Sequence, residues 1–326
     1  MCLARAFRTS ASQLCLVLLG AFAVGPTLSA WLWYSSVSPV DSEPVIVSVV
    51  VEESPANDRV EPLVLDISDL PSHRLRAEAA IVYNAETHEI VWGAGKQEQR
   101  PIASITKVMT ALVVLDRQVD LERDVVVSAR DVRRASTTYL RRKERVTLDN
   151  LMHLALIASD NAAARVLARA TGLGTKEFVQ AMNRKADELG LQNTQFVDPS
   201  GLHEDNLSTP YDVARLITVA SREPVIARIM RNRTYRLRTS RRGLTIRNTN
   251  RLLRGRYSIE AGKTGYIDEA GYCLATVVKL PGKDPLAVVV LGASSNSGRF
   301  REVRRLVDWV STKGQSLLKP ETLRAD

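Results

Sequence analysis

The sequence predicts an α/β (α+β) fold in which strands from both ends of the chain complete one sheet and the intervening helices pack on it. Three observations predict it: two strand-like runs before residue 93, a middle section with helical apolar spacing, and three strand-like runs followed by a helix after Arg256. Ala79 to Tyr83 and Glu89 to Trp92 flank a turn at Asn84–His88 and read as paired strands. Ser104 to Leu115 has the apolar spacing of a helix. Thr147 is placed to cap a helix through Leu151, Leu154 and Leu156 that ends near Ser159, and a second helix runs from Asn161 to Ala170. Val213 to Ser221 reads as another helix. Tyr257 to Lys263, Gly271 to Lys279 and Leu286 to Gly292 read as strands, the last two joined by the turn Pro281-Gly282-Lys283-Asp284-Pro285. Arg299 to Leu318 closes the pattern as a helix. There is no internal repeat and no low-complexity tract.

The chain of 326 residues is 45% hydrophobic and 25% charged, which excludes a collagen, a disordered chain and a polytopic membrane protein. Three cysteines are too few for a disulfide framework, and Cys2 and Cys15 lie in the first apolar stretch. Cys273 then stands alone in the body of the protein, where it reads as a small buried hydrophobe. His73, His88, His153 and His203 have no zinc-ligand spacing, so the sequence predicts neither metal nor cofactor. His153, among leucines, reads as a packed histidine.

Residues 1–30 read as a signal peptide or an uncleaved anchor. Arg5 and Arg8 precede an uncharged run from Leu14 to Val24, and small residues follow at Ser29 and Ala30. The apolar stretch Leu14 to Trp33 is also long enough to span a bilayer, with Trp31, Trp33 and Tyr34 at the interface. Either reading exports the rest of the chain, and in a periplasmic setting the second tethers it to the inner membrane. Residues 31–71 read as an acidic linker holding Pro39, Pro44, Pro55, Pro62 and Pro71, with Arg59 its one cation, although Val45 to Val51 has the pattern of an edge strand. The formal net charge of +9, less the two cations of residues 1–34 and the net −7 of residues 35–71, leaves +14 on residues 72–326, the expected catalytic domain. That charge reads as a solvated basic surface or as a site for an anionic envelope polymer or lipid headgroups. Nucleic acid is a poor candidate for an exported chain, and no basic strand is interleaved with aromatics.

Three short stretches carry chemistry. In Pro101-Ile102-Ala103-Ser104-Ile105-Thr106-Lys107, Ser104 and Lys107 share one helical face. A serine hydroxyl needs a base within hydrogen-bond reach to act as a nucleophile, and a lysine of lowered pKa is such a base. Taken alone the pair is also what a helix cap and a solvated lysine look like. Ser159-Asp160-Asn161 falls at the break between two apolar helices, where it serves as a helix stop and cap or supplies a hydroxyl and a carboxamide to a substrate. Gly262-Lys263-Thr264-Gly265 lies in a strand pattern. Its glycines would let a ligand backbone lie close, and its lysine and threonine are donors suited to a carboxylate. The stretch is a poor match to a nucleotide P-loop, because no Gly-rich loop of the right length precedes Lys263 and a strand pattern, not a helix N-terminus, contains it.

The order Ser-x-x-Lys, Ser-x-Asn, Lys-Thr-Gly is the active-site set of serine penicillin-recognising enzymes. With it, the chain resembles the low-molecular-mass penicillin-binding proteins of the D-alanyl-D-alanine peptidase family over roughly residues 75–310. The run from Leu189 to Leu202, Ser208-Thr209 with Asp212, and Asn248-Thr249-Asn250-Arg251-Leu252-Leu253 extend the likeness. The resemblance implies a β-lactamase/transpeptidase-like fold: a five-stranded antiparallel sheet with packed helices, plus a mostly helical subdomain. It implies that Ser104 is the nucleophile of an acyl-enzyme, Lys107 its base and Ser159 a proton relay. Asn161 would orient Lys107 and the substrate. Lys263 and Thr264 would receive the substrate carboxylate, with Gly265 beside them and the backbone N–H groups of Ser104 and Tyr266 as the oxyanion hole. Peptidoglycan peptides are the implied substrates and β-lactams the implied covalent inhibitors.

Within that family the chain looks most like the D-alanyl-D-alanine endopeptidases, which cleave D-Ala crosslinks between peptidoglycan strands. The wording Val197-Asp198-Pro199-Ser200-Gly201-Leu202, Asp160 where many carboxypeptidases have glycine, and a stretch after Gly265 that suffices only for two strands and a helix all point there. The alternative is a carboxypeptidase trimming pentapeptide stems. A class A β-lactamase needs a carboxylate to activate the deacylating water; Glu144 lies upstream of Ser159, outside any recognisable segment for that role. A wall-binding protein without catalysis is the remaining reading. Arg141-Arg142-Lys143 reads as a solvated loop that would also suit muropeptide carboxylates.

Overall fold

Leu286-Ala287-Val288-Val289-Val290-Leu291 is apolar at every position, a pattern expected of a strand buried on both faces. The computed structural model, which describes residues 75–312, places it at the centre of a sheet. In chain order the strands are β1 (Ala79–Asn84), β2 (Ile90–Ala94), β3 (Arg100–Pro101), β4 (Asp124–Val126), β5 (Arg145–Thr147), β6 (Leu207–Ser208), β7 (Thr234–Arg238), β8 (Gly243–Arg247), β9 (Ser258–Ile267), β10 (Gly271–Lys279) and β11 (Leu286–Ala293). The helices are α1 (Thr106–Asp116), α2 (Ala129–Val132), α3 (Leu148–Ile157), α4 (Asn161–Ala170), α5 (Thr175–Glu188), α6 (Pro210–Arg222), α7 (Pro224–Met230) and α8 (Asn296–Thr312). The expected N-terminal segment, the acidic linker and the end of the closing helix at Leu318 lie outside the described residues.

The main sheet has the order β2-β1-β11-β10-β9, antiparallel throughout. The strand nearest the start of the described chain thus pairs with the last strand, Ala79 opposite Leu291 and Asn84 opposite Leu286. Alternation along the strands divides the core in two. Ile81, Tyr83, Val289, Leu291 and Val277 pack with α1, α3, α4 and α6 on one face. Ala80, Val82, Val288 and Val290 pack with Phe300, Val303, Leu306 and Val310 of α8 on the other.

Between β3 and β7 the chain is mostly helical, as expected. Thr147 caps α3 by accepting from Asn150 N, and Asp160 caps α4 by accepting from Ala163 N. The sequence reading places no element over α5, α7 or the β7–β8 hairpin. α5 buries only Phe178, Met182 and Ala186, spaced four apart, and the hairpin buries only Leu237 and Ile246 within its strands. The closing helix starts three residues earlier than expected, at Asn296. His153 is buried and stacks on Tyr235, ring centroids 3.7 Å apart. Cys273 is buried and free, and burial pushes its thiol up to about 11.

Leu291 sits at the contact between the central strand and the helical body. Leu291→Ala is expected to cost about 2–5 kcal/mol. Urea unfolding checks this: the midpoint falls while the slope is unchanged.

Candidate active site

The chain reaches Ser104 through a short 3₁₀ turn, Ala103–Ile105, that leads directly into α1. Ala103 has a positive φ of 47°, a costly conformation for a residue with a Cβ. Two glycines make this turn possible. A Cβ on Gly265 would lie 2.7 Å from Ile102 O, and one on Gly201 would lie 2.0 Å from Ala103 O. Both β9 and the Asp198–Gly201 loop therefore press against the backbone that presents Ser104. The expectation that the glycines around Lys263-Thr264 open space for a ligand backbone is corrected here. Gly262 makes room for Asn250, whose Nδ2 would be 2.3 Å from its Cβ, and Gly265 makes room for the Ser104 turn.

One helical turn after Ser104, the Lys107 amine donates to Ser104 Oγ at 2.8 Å, to Asn161 Oδ1 at 2.6 Å and to the Ser200 carbonyl. Lys107 is fully buried. Burial lowers its amine to about 7, Asp198 and Asp160 oppose that fall, and Arg165 adds to it. Below that value the amine is a cation that can only donate. Above it the nitrogen has a lone pair to take the Ser104 hydroxyl proton.

Asp198 itself is caged. Burial would raise its carboxyl, but donors at Ser200, His203 and Asn206 outweigh that and hold it below the usual carboxylate range. Asn161 turns its oxygen to Lys107 and gives its amide nitrogen to Ala135 O at 2.8 Å, which fixes the carboxamide in one orientation.

Ser159 closes α3 with a φ of 60°, the left-handed region again. Its hydroxyl accepts from the Lys263 amine at 2.8 Å, and that amine also donates to Thr264 O. Burial pushes Lys263 well below its ordinary range, and the nearby Lys107 and Arg299 charges push the same way. Lys263 lies inside β9, and the Thr264 hydroxyl donates to Thr249 Oγ1 at 2.7 Å. Tyr266 is exposed and stacks on Tyr272, centroids 4.3 Å apart.

Ser104, Ser159, Asn161, Thr264, Gly265 and Tyr266 line one groove of about 430 Å³, with Lys107 and Lys263 beneath its serines. All eight residues named from the sequence thus converge. The structure adds two that it did not single out. Thr249 holds the Thr264 hydroxyl. Arg299, nearly buried, lines the groove and donates to the carbonyls of Gly265 and Cys273, and burial lowers it to about 10. Thr249 falls in the Asn248–Leu253 stretch that extends the likeness, while Arg299 carries no local sequence signal, because its role depends on strands brought together from afar. Glu144 is absent from the groove. It is buried, accepts from Arg242 Nε at 3.0 Å and from Arg141 N, and so serves the loop under the β7–β8 hairpin.

With this geometry in hand, known proteins identify the family. A family model described as D-alanyl-D-alanine carboxypeptidase, peptidase S11, matches residues 67–295. The chain belongs to this family. It is 34% identical over 239 residues to a D-alanyl-D-alanine endopeptidase of Escherichia coli K12, covering 72% of this chain and 77% of that protein. It is 33% identical over 256 residues to a D-alanyl-D-alanine endopeptidase of Pseudomonas aeruginosa, covering 77% and 82%. Among solved structures, the Streptomyces K15 DD-transpeptidase superposes with a TM-score of 0.69 at 26% identity, over 72% of this chain and 97% of that one. This family member is a serine-type D-Ala-D-Ala peptidase with the fold that the resemblance implied.

The buried amine gives a direct test. In ¹³Cε-lysine spectra, Lys107 is expected to titrate near about 7, while exposed lysines titrate near about 10.4. A Lys107 midpoint in the ordinary lysine range would show that the amine is hydrated.

Proposed function

We propose that this chain is a D-alanyl-D-alanine endopeptidase that opens D-Ala crosslinks in peptidoglycan through an acyl-enzyme on Ser104, acting outside the cytoplasm. The observation that carries the reading is the hydrogen-bonded set of Ser104, Lys107 and Asn161 facing Ser159 and Lys263 in one groove.

In this mechanism the neutral Lys107 amine takes the proton from Ser104 Oγ as that oxygen attacks the D-Ala carbonyl carbon. The oxyanion that forms faces the backbone N–H groups of Ser104 and Tyr266. Gly265 supports that pairing by letting β9 approach the Ser104 turn. Collapse of the intermediate breaks the C–N bond, and the leaving amine takes a proton relayed through Ser159 from the lysines. Water then cleaves the ester by the reverse order of proton transfers, returning Ser104. Thr264 and Arg299 on the groove wall, with the Lys263 amine behind Ser159, supply hydroxyl and N–H donors suited to a substrate carboxylate. The Arg299 Nε is buried without a hydrogen-bond partner among the described residues. A β-lactam would acylate Ser104 by the same attack.

The endopeptidase reading over a carboxypeptidase rests on the two relatives and on Asp160. Its carboxylate accepts from Tyr139 N at 2.6 Å and Thr138 Oγ1 at 3.1 Å while capping α4. A glycine there would release the loop that carries Ser136 and Thr137 on the groove wall.

Incubation with a crosslinked dimeric muropeptide and with a free pentapeptide monomer separates the two activities by product mass. Release of monomers from the dimer is expected. Release of D-Ala from the pentapeptide alone would make the enzyme a carboxypeptidase. The second-order rate of acylation by benzylpenicillin is expected to rise tenfold per pH unit up to about 7 and then level off, because only the neutral Lys107 can accept the proton. A rate flat from pH 5 to pH 9 would remove Lys107 as the base. Asn161→Ala is expected to lower that rate by about 10²-fold or more, since it frees the amine from its orienting acceptor.

A further inference from the structure

A second cleft, of about 810 Å³, adjoins the catalytic groove and is lined by arginines. α2 and the residues after it supply Arg130 and Arg134, and α4 supplies Arg165 and Arg169. Two carboxylates share the lining, and both are already engaged. Asp131 is paired with Arg169 at 2.9 Å and accepts from Ser128 N, while Asp198 is filled by its own loop. Arg165 donates only to the carbonyls of Asp131 and Arg133. Among the described residues, Arg130, Arg134 and Arg165 therefore face the cleft with no carboxylate partner. Excess like charge gathered in one concavity raises the local concentration of anions.

The cleft and the catalytic groove are neighbours at two points. Leu202 forms part of the wall of both. The loop from Arg134 to Thr137 places its first residue in the cleft and Ser136 and Thr137 in the groove, with Arg134 and Ser136 both at positive φ, 50° and 55°. A molecule with one arm at Ser104 would cross Leu202 to place a second arm in the cleft.

We propose that this arginine cleft is a binding site for the carboxylate-bearing second peptide stem of a crosslinked substrate. The assignment rests on the endopeptidase reading for its substrate. It explains how an enzyme whose chemistry needs only one D-Ala carbonyl can prefer a dimer: the second stem adds charge-assisted contacts that a monomer lacks. A penicillin, filling the groove alone, does not reach these arginines.

The test uses the full chain carrying Ser104→Ala, so that nothing is turned over, and measures binding of a crosslinked dimeric muropeptide and of the matching monomer by calorimetry. With Arg130→Glu and Arg134→Glu added, the dimer is expected to bind at least about tenfold more weakly at low salt, and this difference is expected to shrink as sodium chloride is raised. Monomer binding is expected to stay within about twofold, as is benzylpenicillin acylation of the protein with Ser104 restored. Arg130→Gln with Arg134→Gln should give a smaller loss of the same kind. Unchanged dimer affinity at low salt, or an equal loss for dimer and monomer, overturns the proposal. Failure of the unaltered enzyme to cleave the dimer would instead overturn the endopeptidase reading, and the binding comparison would still decide the cleft.

Discussion

The site depends on one amine held away from water. An isolated buried ammonium is strongly disfavoured, and the protein resolves this by lowering the pKa of Lys107 while surrounding it with oxygens from Ser104, Asn161 and Ser200. Those three oxygens come from the turn before α1, the start of α4 and the loop before β6. The same contacts that make the amine tolerable in the interior therefore also dock these parts of the chain on one another. Catalytic geometry and local packing cannot be separated here: loosening any of the three would hydrate the amine and return it toward an ordinary lysine.

Close backbone approach is what brings the parts near enough. Gly265 and Gly201 each lie where a Cβ would meet the backbone of Ile102 or Ala103. The left-handed conformations at Ala103 and Ser159 cost roughly 1–2 kcal/mol each and are held by the packing around them. The sheet supplies the rigid frame. β9 carries Lys263 and Thr264 into the groove, and its pairing with β10 sets Gly265 opposite Cys273, so Arg299 of α8 can bind both carbonyls at once. α8 thus covers one face of the sheet and also reaches through to the groove.

Much of this was legible in the sequence. Thr147 and Asp160 announce α3 and α4 because caps are local chemistry, and the long apolar runs announce β10 and β11 because both their faces are covered. The order of the three short motifs names the groove, since each falls at an element boundary or inside a strand where its side chains are presented to one place. What was not legible depended on tertiary context. α5 and the β7–β8 hairpin bury too few apolar residues to stand out from their polar and cationic surroundings. Thr249 and Arg299 gain their roles only once β9 lies beside them. Gly262 and Gly265 were visible as glycines, but the neighbours that require them, Asn250 and the Ile102 carbonyl, are remote in sequence.

The central claim is that the Ser104 hydroxyl, activated by Lys107, is the one acylated group. It is tested most directly by incubating the protein with benzylpenicillin and mapping the adduct by peptide mass spectrometry. The account predicts a single penicilloyl group on the peptide that contains Ser104. An adduct on Ser159 or another residue, or no adduct at all in folded protein, would contradict it.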